Sequence, residues 1–282
     1  MPSLTTPLTL SALYIYPIKS AGRVSLNSAQ IGPRGLHHDR RWMVVDAAQR
    51  PLTQRECPAM RLIEVALNEN GLAVTAPRMP PLAVPWQPLG QRTTADMWGQ
   101  QLGGISVSAE ASAWFTAYLS QPCNLIFMPE QEQRWQPEGR PYRSQLGFAD
   151  GNPFHLVSEV SVADLNLSLG RPVDTHNFRP NLVVSGGSAY QEDYWRLIRI
   201  GALTFEVVES CARCSVLNVT AAGTRSAEPL RSMARLRREG QAIIFGQHLV
   251  QHAFYSERTG FLRVGDALEV VELGTTRNPV YV

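Results

Sequence analysis

Residues 205–217 read Phe-Glu-Val-Val-Glu-Ser-Cys-Ala-Arg-Cys-Ser-Val-Leu. The β-branched and aromatic residues over 203–208 predict a strand. No helix opens after the Cys-x-x-Cys, because β-branched Val216, Val219 and Thr220 follow it. A strand that runs into a loop here places the chain among mainly β proteins. A strand that ran into a helix would have pointed to an α/β dithiol fold.

The rest of the chain agrees. Runs at 10–16, 41–45, 62–67, 72–76 and 105–108 are short, rich in β-formers and separated by Gly, Pro and Asn. Glu69-Asn70-Gly71 is a hairpin turn between two of them. Further strands are predicted at 182–184, 198–200, 243–245 and 267–271. Helices are few. One covers 109–119. A second covers 161–169, with Ser161 as N-cap, Asp164 in the capping-box position and Gly170 past its end. A third covers 228–238, with Pro229 in its first turn. The Arg/Gln/Pro-rich stretch 129–145 reads as a lid or domain junction. The fold class is mainly β (α+β), with two β-barrel-like units and a few helices.

At 282 residues, with 44% hydrophobic and 18% charged residues, the chain can bury a core and is no disordered segment. A net charge of +2, with no basic run interleaved with aromatics, argues against nucleic acid as a partner. No apolar run approaches the roughly 20 residues that span a bilayer, and the N-terminus lacks a basic region before an apolar stretch. Four cysteines are too few for a disulfide scaffold in a chain this long. The expected protein is cytoplasmic, with no membrane partner.

Cys211 and Cys214 admit three readings on their own residues. A structural zinc needs about four ligands. The nearest histidine pair, His248 and His252, lies in a β-like stretch that would hold the two roughly 13 Å apart. A thioredoxin-type pair needs the helix that is missing. Two buried, packed cysteines remain as the third reading. Arg213 beside Cys214 argues for reactivity, since a nearby guanidinium lowers a thiol's pKa and a soft thiolate selects soft or high-valent metal centres.

Four other stretches carry charge or amide groups at strand ends: Tyr16-Pro-Ile-Lys-Ser20, Asp39-Arg-Arg-Trp42, Asp150-Gly-Asn-Pro-Phe154 and Asn177-Phe-Arg-Pro-Asn181. Each alone reads as a solvated strand end or an ordinary turn. Together they supply Lys, Arg, Ser and Asn, the residue types that hold a phosphate.

In this order the stretches resemble the MOSC superfamily, in the branch with an N-terminal MOSC β-barrel domain that includes the mitochondrial amidoxime-reducing component and its bacterial relatives. The matching segments are YIYPIKS (14–20), DRRWMVVD (39–46), TQRECPAMRLI (53–63), FADGNPFHLVSEVSVADLN (148–166), NFRPNLVVSG (177–186), CARC (211–214), FGQ (245–247) and RVGDALEVV (263–271). The resemblance implies an N-terminal β-barrel-like domain over 1–125 and a MOSC domain over 126–282. It implies that Cys214 ligates molybdenum in a molybdopterin cofactor. Lys19, Ser20, Arg40, Arg179 and Asn181 would hold the phosphate and pterin, with Arg213 beside the thiolate and Asp150 near the metal. The expected activity is reduction of N-hydroxylated substrates, such as hydroxylaminopurines or amidoximes, in a detoxifying role. The alternative is a non-catalytic cofactor carrier or sulfur-transfer module. Four cysteines leave none spare for an iron–sulfur cluster, so electrons would come from an external donor protein of the flavin reductase or ferredoxin type. Two positions depart from the mitochondrial pattern. Asn152 stands where those relatives have a hydroxyl, and Ala212 stands where they have serine.

Overall fold

Short β-forming runs do become strands, as the computed structural model of residues 6–252 and 259–281 shows. The first half carries β1 (Thr9–Ile15), β2 (Val24–Leu26), β3 (Ser28–Gly32), β4 (Gly35–Leu36), β5 (Trp42–Asp46), β6 (Glu64–Asn68), β7 (Gly71–Thr75), β8 (Leu82–Pro85), β9 (Arg92–Met97), β10 (Gln100–Ser106), helix α1 (Ala109–Leu119) and β11 (Cys123–Phe127). The second half carries β12 (Arg134–Trp135), β13 (Gln145–Leu146), β14 (Phe154–Ser158), helix α2 (Glu159–Leu167), β15 (Leu182–Ser185), β16 (Trp195–Ile200), β17 (Leu203–Ala212), helix α3 (Leu230–Leu236), β18 (Arg238–Glu239), β19 (Ala242–Gln251), β20 (Gly260–Arg263) and β21 (Leu268–Leu273).

The largest sheet runs β2-β1-β15-β14-β19-β17-β16-β21, with β18 on the side of β19. Its path curls back on itself. Thr9 bridges Ala267 at the foot of β21, and Leu268 N–H donates to Leu8 O at 2.9 Å. The side chains pointing inward are apolar and fully buried, among them Leu10, Leu13, Phe154, Leu156, Leu182, Trp195, Phe205 and Leu249. Alternation along each strand sends one face to this core and the other outward.

A second core lies under β5-β11-β10-β9 and the β6-β7-β8 meander, closed by α1 through Ala111, Trp114 and Phe115. The β6–β7 hairpin turns through Glu69-Asn70. Gly71 then sits at φ 153, where a Cβ would lie 1.9 Å from Val84 O, so no side chain fits. The two halves share strands: β1 and β2 belong to the large sheet, and β3 pairs with β20. This interlocking carries the end of β1 to the strands around Cys214.

Three expectations need correction. Helix α2 starts two residues early, capped by the Ser158 hydroxyl, which accepts from Ser161 N–H. Ser161 is buried and accepts from Tyr190 N–H instead, so tertiary contact overrides its capping tendency. Helix α3 is shorter than expected because Arg238 and Glu239 leave it to pair with β19. The 129–145 stretch is partly structured, with β12 and β13 pairing inside it and Arg134 buried there. Arg134 Nη1 donates to Gly147 O at 2.9 Å and also to Ala149 O.

Candidate cofactor site

The end of β17 delivers Cys211 and, through the following loop, Cys214 to one cavity of about 220 Å³. All eight residues expected from the sequence line it: Lys19, Ser20, Arg40, Asp150, Arg179, Asn181, Arg213 and Cys214. Arg55, Asn152, His155, Cys211 and His248 line it too. A larger cavity of about 490 Å³ beside His38 and Trp86 holds none of the eight. The lining side chains include five permanent cations and one carboxylate, a balance that suits an anionic ligand.

The backbone is strained where it presents these groups. Ser20, Arg40 and Arg179 all have positive φ, at 69°, 48° and 56°. Non-glycine residues avoid this region unless the surroundings over-determine it, and such residues cluster at functional sites. For Ser20 and Arg40 the surroundings are the β1–β5 junction, where Lys19 N–H donates to Trp42 O at 2.8 Å and Arg40 N–H donates to Tyr16 O at 2.9 Å; Arg179 closes the turn before β15, its N–H donating to His176 O at 3.1 Å.

The cavity has two ends. At one, Arg40 and Arg179 both pack over the ring of the buried Tyr16, with their guanidinium carbons 4.3 and 4.2 Å from its centre. Arg40 also donates to Asn181 Oδ1 at 3.2 Å and to Arg179 O at 3.3 Å, which aims the fork. Burial lowers Arg179 to about 10, leaving it charged at neutral pH. Burial also pushes the Tyr16 hydroxyl up to about 12, so it stays neutral beside the two cations. At the other end Cys214 is exposed. Arg55 Nη2 donates to its sulfur at 3.5 Å and to Asp150 Oδ2 at 3.3 Å. Lys19 pairs with the other Asp150 oxygen and donates to Phe148 O at 2.9 Å. Burial raises Asp150, but Lys19, Arg55 and Arg134 outweigh it and hold the carboxyl well below the usual carboxylate range. Burial lowers Lys19, with Asp150 opposing. Lys19 therefore stands with Asp150 near the thiol, apart from the Arg40–Arg179–Asn181 group.

The guanidinium at Cys214 is that of Arg55, not of the adjacent Arg213. Arg213 turns the other way, donating to Cys211 Sγ at 3.0 Å and to Phe178 O at 3.0 Å. Cys211 is buried, a state that raises a thiol, yet Arg213, His248 and His155 bring it well below the ordinary thiol value. Cross-strand register explains the cluster: His155, His248 and Glu209 lie side by side on β14, β19 and β17. His248 Nδ1 is 3.0 Å from Glu209 Oε1. Although burial lowers His248, Cys211 and Glu209 lift it to about 9. Asn152 holds Glu209 at 2.5 Å, which gives the amide at this departing position a partner.

Arg55, His155, Glu209 and His248 were not singled out from the sequence as site residues. Arg55 lies within the quoted 53–63 segment, but nothing local marks it. The other three become a cluster only through strand pairing. Among the described residues, no three His, Cys, Asp or Glu side chains are placed to hold a metal by themselves. A metal at Cys214 would bring its remaining ligands with it. No helix among the described residues is long and apolar enough to cross a membrane.

Comparison with known proteins finds two family models along the chain. The family model of the MOSC N-terminal beta barrel domain matches residues 7–122, and that of the MOSC domain matches 143–269. The mitochondrial amidoxime reducing component 2 of Bos taurus is 31% identical over 275 residues, covering 92% of this chain and 82% of the relative. The mitochondrial amidoxime-reducing component 1 of Homo sapiens is also 31% identical, over 92% of this chain and 81% of its own. A molybdenum cofactor sulfurase of Oryza sativa subsp. japonica is 31% identical over 84% of this chain but only 32% of its own length.

Proposed function

This chain belongs to the MOSC family, in the branch that joins a MOSC N-terminal β-barrel domain to a MOSC domain, and on that premise we propose that it holds a molybdopterin-type molybdenum cofactor and reduces N-hydroxylated compounds. One observation carries this reading: an exposed thiol and a cluster of aimed, half-buried guanidiniums share a single cavity. A soft thiolate suits a high-valent metal, and charge-assisted forks suit a phosphate.

Cys214 is the metal ligand in this reading. Arg40, Arg179 and Asn181 hold the anionic tail, with Ser20 and Arg213 beside it. Lys19 works through Asp150, neutralising and fixing that carboxylate next to the thiol. When bound, the group supplies the two-electron chemistry that breaks the N–O bond. Overall, the N–OH compound takes two electrons and two protons to give N–H and water, the electrons coming from an external flavin- or iron–sulfur-containing donor protein. Lys19 and Arg55 hold Asp150 as a carboxylate, so it would accept a hydrogen bond from the substrate's N–OH and does not act as the acid. We place the protein in the cytoplasm.

Similarity to molybdenum cofactor sulfurases supports a second reading, a cofactor carrier or sulfur-transfer module. One assay separates the two: metal-loaded protein, reduced viologen and an N-hydroxylated base, with product measured by chromatography. Reduction that tracks molybdenum content and is lost in Cys214→Ser, along with the metal, supports the reductase. Full occupancy without turnover across several such substrates overturns it.

A further inference from the structure

The β9–β10 hairpin turns at Trp98 and Gly99, between the paired residues Met97 and Gln100. Both turn residues have positive φ, 58° at Trp98 and 83° at Gly99. Asn or Gly takes the first of these positions without strain, whereas a bulky aromatic there is a true outlier. The indole is not in either core, for Trp98 is 55% exposed. Its ring instead lies against two of the cations that line the cavity, 5.9 Å from Lys19 Nζ and 5.5 Å from the Arg55 guanidinium carbon. These two cations hold Asp150, and Arg55 also touches Cys214.

We propose that Trp98 is the substrate platform of this site, selecting flat, aromatic N-hydroxylated heterocycles of nucleobase size over aliphatic N-hydroxyl compounds. The proposal rests on the reductase reading above. A purine-sized ring has a π-face that stacks on an indole whatever its substituents. Lys19 and Arg55 draw electron density from the indole, so it accepts an electron-rich ring more readily. Because Lys19 and Arg55 touch both the indole and Asp150, a base lying on Trp98 would sit beside the Asp150–Cys214 group. An aliphatic substrate has no face to offer and gains nothing from the strained indole.

The test compares wild type, Trp98→Phe and Trp98→Leu, all metal-loaded, with reduced viologen as electron source. An N-hydroxylated purine and an aliphatic amidoxime serve as substrates, and adenine affinity is measured by calorimetry. Leucine should raise KM for the purine by roughly tenfold, the scale of one base–aromatic stack, and weaken adenine binding in parallel. The amidoxime KM should stay within about twofold, and phenylalanine should recover most of the purine affinity. Equal KM changes for both substrates, phenylalanine no better than leucine, or unchanged adenine affinity would each overturn the proposal. If wild type reduces neither substrate, the reductase reading fails, and adenine binding alone still decides the role of Trp98.

Discussion

Arg55 Nη2 lies 3.5 Å from the Cys214 sulfur, although 159 residues separate the two in the chain. The same nitrogen lies 3.3 Å from the Asp150 carboxylate. A single guanidinium from the N-terminal half thus ties together the thiol and the carboxylate that the second half contributes.

That tie predicts a charge preference at the thiol. In metal-free protein, Cys214 should react with anionic iodoacetate more readily, relative to neutral iodoacetamide, than an ordinary surface thiol does. Arg55→Met should lower the ratio severalfold, read by mass spectrometry on the Cys214 peptide. A ratio unmoved by the substitution would mean that Arg55 does not act on this sulfur.

The Tyr16 stack makes a second prediction, about cofactor retention. Arg40→Ala and Arg179→Ala should each weaken it by about 1.5–3 kcal/mol, the scale of one hydrogen bond to a charged group. Tyr16→Phe should retain cofactor like wild type, because the buried Tyr16 Oη has no partner and the ring is what supports the arginines. Tyr16→Leu should lose cofactor, because both guanidiniums lose their platform. Molybdenum content after gel filtration measures all four, and equal retention throughout would place the anion elsewhere.

His248 sets a third expectation, in pH. Its folded value of about 9 lies above its ordinary 6.5. Its stabilising contribution is therefore fully present below pH 6.5 and is lost as pH rises through about 9. Glu209→Gln should bring the imidazole down and flatten the stability curve across that window. NMR titration of the His248 ring reads the shift directly. A value that stays near 9 in the variant would leave Cys211 as the sole cause.

Glu192 behaves in the same direction for a different reason. Burial raises its carboxyl from 4.5 to about 7, with Ser161 opposing. Folding thus favours the protonated form, a contribution present below pH 4.5 and lost as pH rises through about 7. Glu192→Gln should be more stable than wild type at pH 8, by on the order of 3 kcal/mol. Thermal melts at pH 5 and pH 8 check this, the variant's advantage being much smaller at the lower value.

Much of this protein can be read locally. Strand runs such as 10–16 and 72–76, the hairpin at Glu69-Asn70-Gly71 and helix α1 obey propensity, turn chemistry and capping, which depend on neighbours a few residues away. The residues at strand ends are named through the family resemblance that their short motifs carry together, and all eight line one cavity. Where local signals competed, the sequence misled: Ser158 and Ser161 are both good caps and both buried, and the Tyr190 N–H that occupies the Ser161 hydroxyl chose between them.

What tertiary structure alone decided is which charge meets which group. Arg213 adjoins Cys214 in the chain, yet adjacent residues point different ways, and the fold sends its guanidinium to Cys211. Arg55 reaches Cys214 because the two halves interlock, and Glu209 faces His248 because the β17–β19 pairing shifts register just before it. Residue types and backbone preferences are properties of short segments, so the sequence states them. Electrostatic partnership depends on distance in space, and strand pairing between remote segments is what sets that distance.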